Sequence, residues 1–136
     1  MKVDLLYKDL SYKLQGIIND IRNKYGRGYK EQVYQNAFAE ALKLNKIQFE
    51  REKIIKVYSL DTGKEIGVYR PDFVVDNKII VEIKAVKFAP KSLENQLFDY
   101  LKCSKYELGY FINFGGTKLY KRRIIYTNDR KSWLKF

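Results

Sequence analysis

Between Val68 and Val86 the chain reads V-Y-R-P-D-F-V-V-D-N-K-I-I-V-E-I-K-A-V, and no other stretch restricts the fold as much. Two apolar runs rich in β-branched residues flank Asp76-Asn77, the pattern of a β-hairpin. Phe73-Val74-Val75 and Ile79-Ile80-Val81 are continuous rather than alternating, which predicts strands covered on both faces. Yet Asp72, Glu82 and Lys84 sit within these strands. Unpaired charge in a core strand is costly, so charges held there have partners or a chemical task. In a short hairpin these three make a cation site with an ammonium group beside it.

The turn decides whether the three converge. Glu82 and Lys84 are two apart on one strand and share a face, with Ile83 pointing the other way. A two-residue loop at Asp76-Asn77 pairs Val75 with Lys78, sets Asp72 opposite Val81 and turns its carboxylate to the wrong face. A three-residue loop, Asp76-Asn77-Lys78 with Asn77 or Lys78 in the left-handed region, pairs Val75 with Ile79 and sets Asp72 opposite Glu82. The longer loop, or a bulge near Pro71, is therefore predicted. Proline suits the start of a strand or a bulge better than a central ladder position.

A chain of 136 residues reads as one domain, 1–136, with room for a core. Its 46% hydrophobic and 15% aromatic content argues for a folded globule. No apolar run approaches a membrane span, and the first residues carry acids where a signal peptide would not. The single cysteine, Cys103, excludes an internal disulfide and fits a reducing cytoplasm. Cys103 itself reads as a buried small residue, since nothing near it in sequence would depress its pKa. There is no histidine. That removes Ser-His-Asp and Cys-His catalysis and leaves carboxylates, lysine and hard, oxygen-seeking cations. The net charge of +11 suggests a polyanion partner rather than a membrane.

In chain order, Leu10, Leu14, Ile17, Ile18 and Ile21 recur at helical spacing and predict a helix over residues 5 to 24. Tyr25-Gly26-Arg27-Gly28 breaks it. Val33, Phe38, Ala41 and Leu42 predict a second helix, Lys30 to Lys46. Ile47 to Tyr58 reads as one strand, and Asp61-Thr62-Gly63-Lys64 as a turn into the hairpin. Pro90-Lys91-Ser92 opens a third helix to about Ser104. Leu108 to Phe114 is a buried strand, and Gly115-Gly116 turns the chain into a last one, Lys118 to Tyr126. The fold class is α/β (α+β with a mixed sheet), order α-α-β-β-β-α-β-β, helices against the sheet.

Pro71-Asp72 followed by Glu82-Ile83-Lys84 resembles the signature of the PD-(D/E)XK nuclease superfamily, whose restriction-endonuclease-like core matches the order from Lys30 to Phe114. Gly28-Tyr29-Lys30-Glu31-Gln32-Val33-Tyr34 is similar to the motif of its GxxExxY family. Leu108-Gly109-Tyr110-Phe111-Ile112-Asn113-Phe114 also resembles that family. Arg27 departs from it, standing where proline is expected. Gln96 and Tyr100, at i and i+4 on one helical face, resemble the Gln-x-x-x-Tyr that follows the lysine in several nuclease branches.

The resemblance implies a metal-dependent nuclease acting on DNA. Asp72, Glu82 and the Ile83 carbonyl would hold Mg2+ or Mn2+. Lys84 would orient the attacking water or offset developing charge. Glu31 would reach the metal directly or through water. Gln96 and Tyr100 would position nucleophile or phosphate, and Arg70 would touch a phosphate or hold a carboxylate. Lys121, Arg122 and Arg123, with Lys118, would track the phosphate backbone. Each has a plainer counterpart. Asp72, Glu82 and Lys84 would be an edge ion cluster, and Glu31 a complement to a helix N-terminus. Tyr34 and Tyr100 would be packed core, and the basic strand a solvated face. Trp133 and Phe136 would cap the fold or join a homodimer. Two rival functions keep the fold: a catalytically silent nucleic-acid-binding module, and a dimeric junction resolvase. A small basic structural protein would leave the buried charges unexplained.

Overall fold

A computed structural model describes residues 6–134. The expected start of the first helix at residue 5 and the terminal Phe136 lie outside them. Helix α1 runs Lys8–Tyr25 and α2 runs Glu31–Leu44. Leu14, Ile17, Ile18 and Ile21 form the buried stripe of α1, and Tyr34, Phe38, Ala39 and Leu42 that of α2. Gly26 ends α1 at φ 69°, returning its N–H to the Arg22 carbonyl at 2.8 Å.

Five strands form the main sheet, in the order β1 (Phe49–Arg51), β4 (Phe73–Val75), β5 (Ile79–Lys84), β6 (Leu108–Asn113) and β7 (Tyr120–Ile125). β5 and β6 run parallel, with α3 (Lys91–Lys102) between them in sequence; the other neighbours are antiparallel. β2 (Ile55–Tyr58) and β3 (Glu65–Tyr69) make a separate two-stranded ribbon. The mixed α/β class holds, but the expected strand from Ile47 to Tyr58 is two strands in two sheets. At Glu52 the backbone turns to φ 52°, and the Glu52 N–H donates to the Asp72 carbonyl at 3.1 Å. The chain thus leaves the sheet edge there and restarts in the ribbon. Arg70-Pro71 likewise separates β3 from β4, so five strands, not three, lie between α2 and α3.

The sheet is covered on both sides, which explains its uninterrupted apolar runs. Phe73, Val75, Ile79, Val81 and Ile83 pack with α1 and α2. Val74 and Ile80 pack on the other face with Leu97 and Leu101 of α3 and with Ile55, Val57 and Tyr69 of the ribbon. Trp133 caps this second layer, donating from its indole N–H to the Lys102 carbonyl at 2.9 Å and stacking on Tyr58. It is 8% exposed, which leaves no face for a dimer contact. Gly63, at φ 75°, is required beneath it, because a Cβ there would lie 2.6 Å from the Trp133 carbonyl oxygen. No described helix is long and apolar enough to cross a membrane.

Candidate active site

The hairpin takes the longer loop. Val75 pairs with Ile79, Val74 with Ile80 and Phe73 with Val81. Asp76 and Asn77 sit at φ 51° and 53°, and the Lys78 N–H closes on the Val75 carbonyl at 2.9 Å. The left-handed pair is therefore Asp76-Asn77: of the two alternatives expected, Asn77 and Lys78, the turn uses Asn77 and adds Asp76, and both observed residues are types that tolerate this region. One further step in register sets Asp72 opposite Glu82. Strand alternation turns both, with Lys84, towards the α3 and ribbon side.

Backbone groups hold the carboxylates. The Ile83 N–H donates to Asp72 Oδ2 at 2.7 Å, and the Asp72 N–H donates to Glu82 Oε1 at 3.3 Å. The Tyr69 hydroxyl hydrogen-bonds Glu82 Oε2. Tyr69 in turn stacks on Tyr100 of α3, ring centres 3.8 Å apart and planes 6° from parallel. Tyr100 is thus packed against the residue that touches Glu82. Tyr69 escaped the sequence reading, although its place three residues before Asp72, at the end of an exposed strand with one buried position, was a signal.

Burial dominates the electrostatics. It pushes the Glu82 carboxyl up to about 7, against the Asp72 N–H and the Lys84 ammonium, and Glu31 adds to the push. Asp72 is raised for the same reason, with the Ile83 N–H and Lys84 opposing and Glu31 and Glu52 reinforcing. Glu52 had no sequence signal; its approach follows from the turn that ends β1. Lys84 therefore stands as the cation shared by two desolvated carboxyls.

Glu31 is the first residue of α2, where it also complements the helix N-terminus. The segment before it is fixed by Tyr34, which is fully buried. The Tyr34 hydroxyl donates to the Gly26 carbonyl at 2.7 Å, and its ring stacks on Phe114 with centres 4.6 Å apart. Gly28, at φ 128°, makes a turn that other residues rarely adopt. Glycine, glutamate and tyrosine in this motif thus divide into a turn, a charge and an anchor. Glu31 Oε2 accepts from Gln35 Nε2 at 3.2 Å. Among the described residues, no three Asp, Glu or Cys side chains converge closely enough to hold an ion between them, and the charge of Glu31 acts on both Asp72 and Glu82.

Among the described residues, the other expected ones make no hydrogen bond to Asp72, Glu82 or Lys84. Arg70 is exposed, between β3 and β4, and neither of its expected carboxylate partners receives a hydrogen bond from it. Gln96 is exposed on α3, while its neighbour Leu97 takes the buried position. Alternate residues of the basic strand face opposite ways, and each has a partner within the protein while Arg122 stays exposed. Lys121 donates to Asn19 Oδ1 at 2.8 Å, Arg123 donates to the Leu6 carbonyl at 2.8 Å, and Arg122 pairs with Glu94. Glu94 of α3 is 4% exposed and also receives the Tyr120 hydroxyl. Burial alone would raise its pKa; the Tyr120 hydroxyl, Lys91 and Arg122 outweigh that and hold the carboxyl low. Cys103 is half-buried, and burial pushes its thiol up, so no thiolate nucleophile forms there.

The model of the PD-(D/E)XK nuclease superfamily matches residues 8–124. Among solved structures, the chain is similar to the crystal structure of SSO0001, at 20% identity and a TM-score of 0.51, over 73% of this chain and 51% of that one. The chain spans about half the length of that structure, and the likeness is one of fold. No curated protein matches the chain. With a two-faced mixed sheet, an Asp72–Glu82 pair across a hairpin and Lys84 two residues on, the chain belongs to the PD-(D/E)XK nuclease superfamily.

Proposed function

We propose that this protein is a metal-dependent nuclease that hydrolyses phosphodiester bonds of DNA, of the GxxExxY type within its superfamily. The observation that carries the reading is the convergence of Asp72 and Glu82 across the hairpin, with Lys84 on the same face of β5. Superfamily membership implies a nucleic-acid substrate, and nucleases of this superfamily generally use divalent metals.

The donor set fits such an ion. Two carboxyls are held side by side in a desolvated place, both with raised pKa values, and a hard cation would relieve that. Asp72, Glu82 and the Ile83 carbonyl are its protein ligands in this proposal, and Glu31 acts through an intervening water. Mg2+ and Mn2+ both suit an all-oxygen site in which water and phosphate complete the shell. The bound ion stabilises charge on the phosphate oxygens and lowers the pKa of its water. Lys84 supplies a fixed ammonium to offset charge in the transition state or to orient the attacking water. Tyr69 and the Asp72 N–H hold the two Glu82 oxygens and the Ile83 N–H holds Asp72 Oδ2, so the carboxylates are fixed in place before an ion arrives.

The test is cleavage of labelled linear, single-stranded and branched DNA with Mg2+, Mn2+ or EDTA. Metal-dependent cutting that is lost in Lys84→Ala, with the circular dichroism spectrum unchanged, is the expected result. Binding without cutting in every metal would leave a nucleic-acid-binding module instead.

A further inference from the structure

We propose that the groove beside Lys84 binds a single-stranded segment of nucleic acid, with an unpaired base stacked on Phe88 and phosphates held by Lys87 and Lys118. The proposal rests on the nuclease reading for the identity of the substrate and extends it to the kind of strand that reaches the site. The groove has a volume of about 470 Å³ and lies between the β5–α3 connection and the β6–β7 connection. Asn113, in its lining, is the register partner of both Lys84 and Tyr120. It therefore opens one strand spacing, about 4.8 Å, from the strand that carries Lys84.

Both walls are pinned. Asn113 Oδ1 accepts from the Val86 N–H at 3.0 Å and from the Gly115 N–H at 3.1 Å, and its Nδ2 donates to the Val86 carbonyl at 2.9 Å. Gly115 approaches so closely that a Cβ on it would lie 2.5 Å from the Val86 nitrogen. Arg22 of α1 braces the far wall through the Gly116 and Thr117 carbonyls, each at 2.9 Å. These contacts set Lys87 and Phe88 at a fixed offset from Lys84.

The groove has the chemistry of an unpaired nucleotide. Phe88 is 81% exposed, with the Lys87 ammonium 5.8 Å from its ring centre. An aromatic ring left in water beside a cation is what single-strand binders use, because every base has a face to stack. Among the described residues, no carboxylate lies within ion-pair distance of Lys87 or Lys118. The carboxylate in the lining, Glu94, is already matched by Tyr120, Arg122 and Lys91, so phosphate entering the groove meets no free negative charge. A duplex keeps its bases stacked inside and cannot offer one to Phe88 without opening.

The experiment measures anisotropy of labelled oligo-dT, oligo-U and a duplex of equal length, using Lys84→Ala protein with magnesium. Phe88→Ala added to that protein should lower oligo-dT affinity about tenfold. Tyr12→Ala, which removes an equally exposed ring on α1, should not. Lys87→Ala and Lys118→Ala should each reduce the slope of log affinity against log salt by about 0.7. Equal affinity for oligo-dT with and without Phe88, or an equal loss on the duplex, overturns the proposal. Cleavage by the wild-type protein is read separately. Cutting with no Phe88 effect removes the groove and keeps the nuclease; a Phe88 effect without cutting keeps the groove and removes the nuclease.

Discussion

Replacing Glu82 by glutamine isolates the strain that the buried carboxyl places on the metal-free fold. Glutamine keeps the shape and both contacts: its oxygen still accepts the Asp72 N–H, and its amide donates to the Tyr69 oxygen. What disappears is the charge. Burial raises the Glu82 pKa from 4.5 to about 7, and every tenfold gain in proton affinity corresponds to about 1.4 kcal/mol. The folded pKa lies above the unfolded one, so the stability linked to this proton is complete below the unfolded value and is lost as pH rises through about 7. In EDTA, wild type and Glu82→Gln should therefore have nearly equal stability near pH 5, while the variant should be more stable by about 2 to 3 kcal/mol near pH 8. Urea unfolding followed by circular dichroism at both pH values gives the difference. Magnesium added at the higher pH should return stability to the wild type and little to the variant. Parallel stability curves for the two proteins would refute the reasoning, because they would mean that the carboxyl ionises in the fold without penalty.

Other contacts give further expected outcomes. Lys84→Ala should abolish cleavage with the circular dichroism spectrum unchanged, and in EDTA it should lose more urea stability near pH 8 than near pH 5, because the half-buried ammonium opposes the raised pKa values of Asp72 and Glu82. Tyr34→Phe should cost about 1 kcal/mol through the lost bond to Gly26, and Gly28→Ala, at a positive φ, should lower stability and cleavage together by displacing Glu31. Arg122→Ala should reduce the melting temperature more than it reduces DNA affinity, because its partner is Glu94 rather than phosphate; a large loss of affinity in a stable protein would contradict that assignment. Lys131→Ala should cost at least about 2 kcal/mol, because the buried ammonium donates to the Ser104 and Tyr106 carbonyls at 2.8 Å each and to Asn128 Oδ1 at 2.7 Å.

The centre of this protein was legible because two independent constraints met in one short stretch. Continuous apolar runs required a sheet covered on both faces, and only a three-residue loop let Asp72 face Glu82 within it; the observed register obeys both. The helices were legible for a similar reason, their apolar stripes being long and regular. The division of the strand after Ile47 was not, since a single left-handed residue at Glu52 ends β1 and glutamate carries no sign of that conformation. The intramolecular partners of Lys121, Arg122 and Arg123 were not legible either, because composition records charge but not engagement. Their partners Asn19, Glu94 and the Leu6 carbonyl stand 102, 28 and 117 residues away in sequence, which no local pattern reveals. Lys131 was hidden in the same way, a basic tail residue that proves to be a buried tie between loops.

The hydroxyl that steadies Glu82 comes from Tyr69, and Tyr69 belongs to the ribbon rather than to the main sheet. The seam between ribbon and main sheet, where Tyr69 closes on Tyr100 and Glu82 and where Ile55 and Val57 pack with Val74 and Ile80, is therefore part of the site itself. Any agent that loosens the ribbon, whether a nick in its Asp61–Lys64 turn or a mild denaturant, should silence the site well before the core melts.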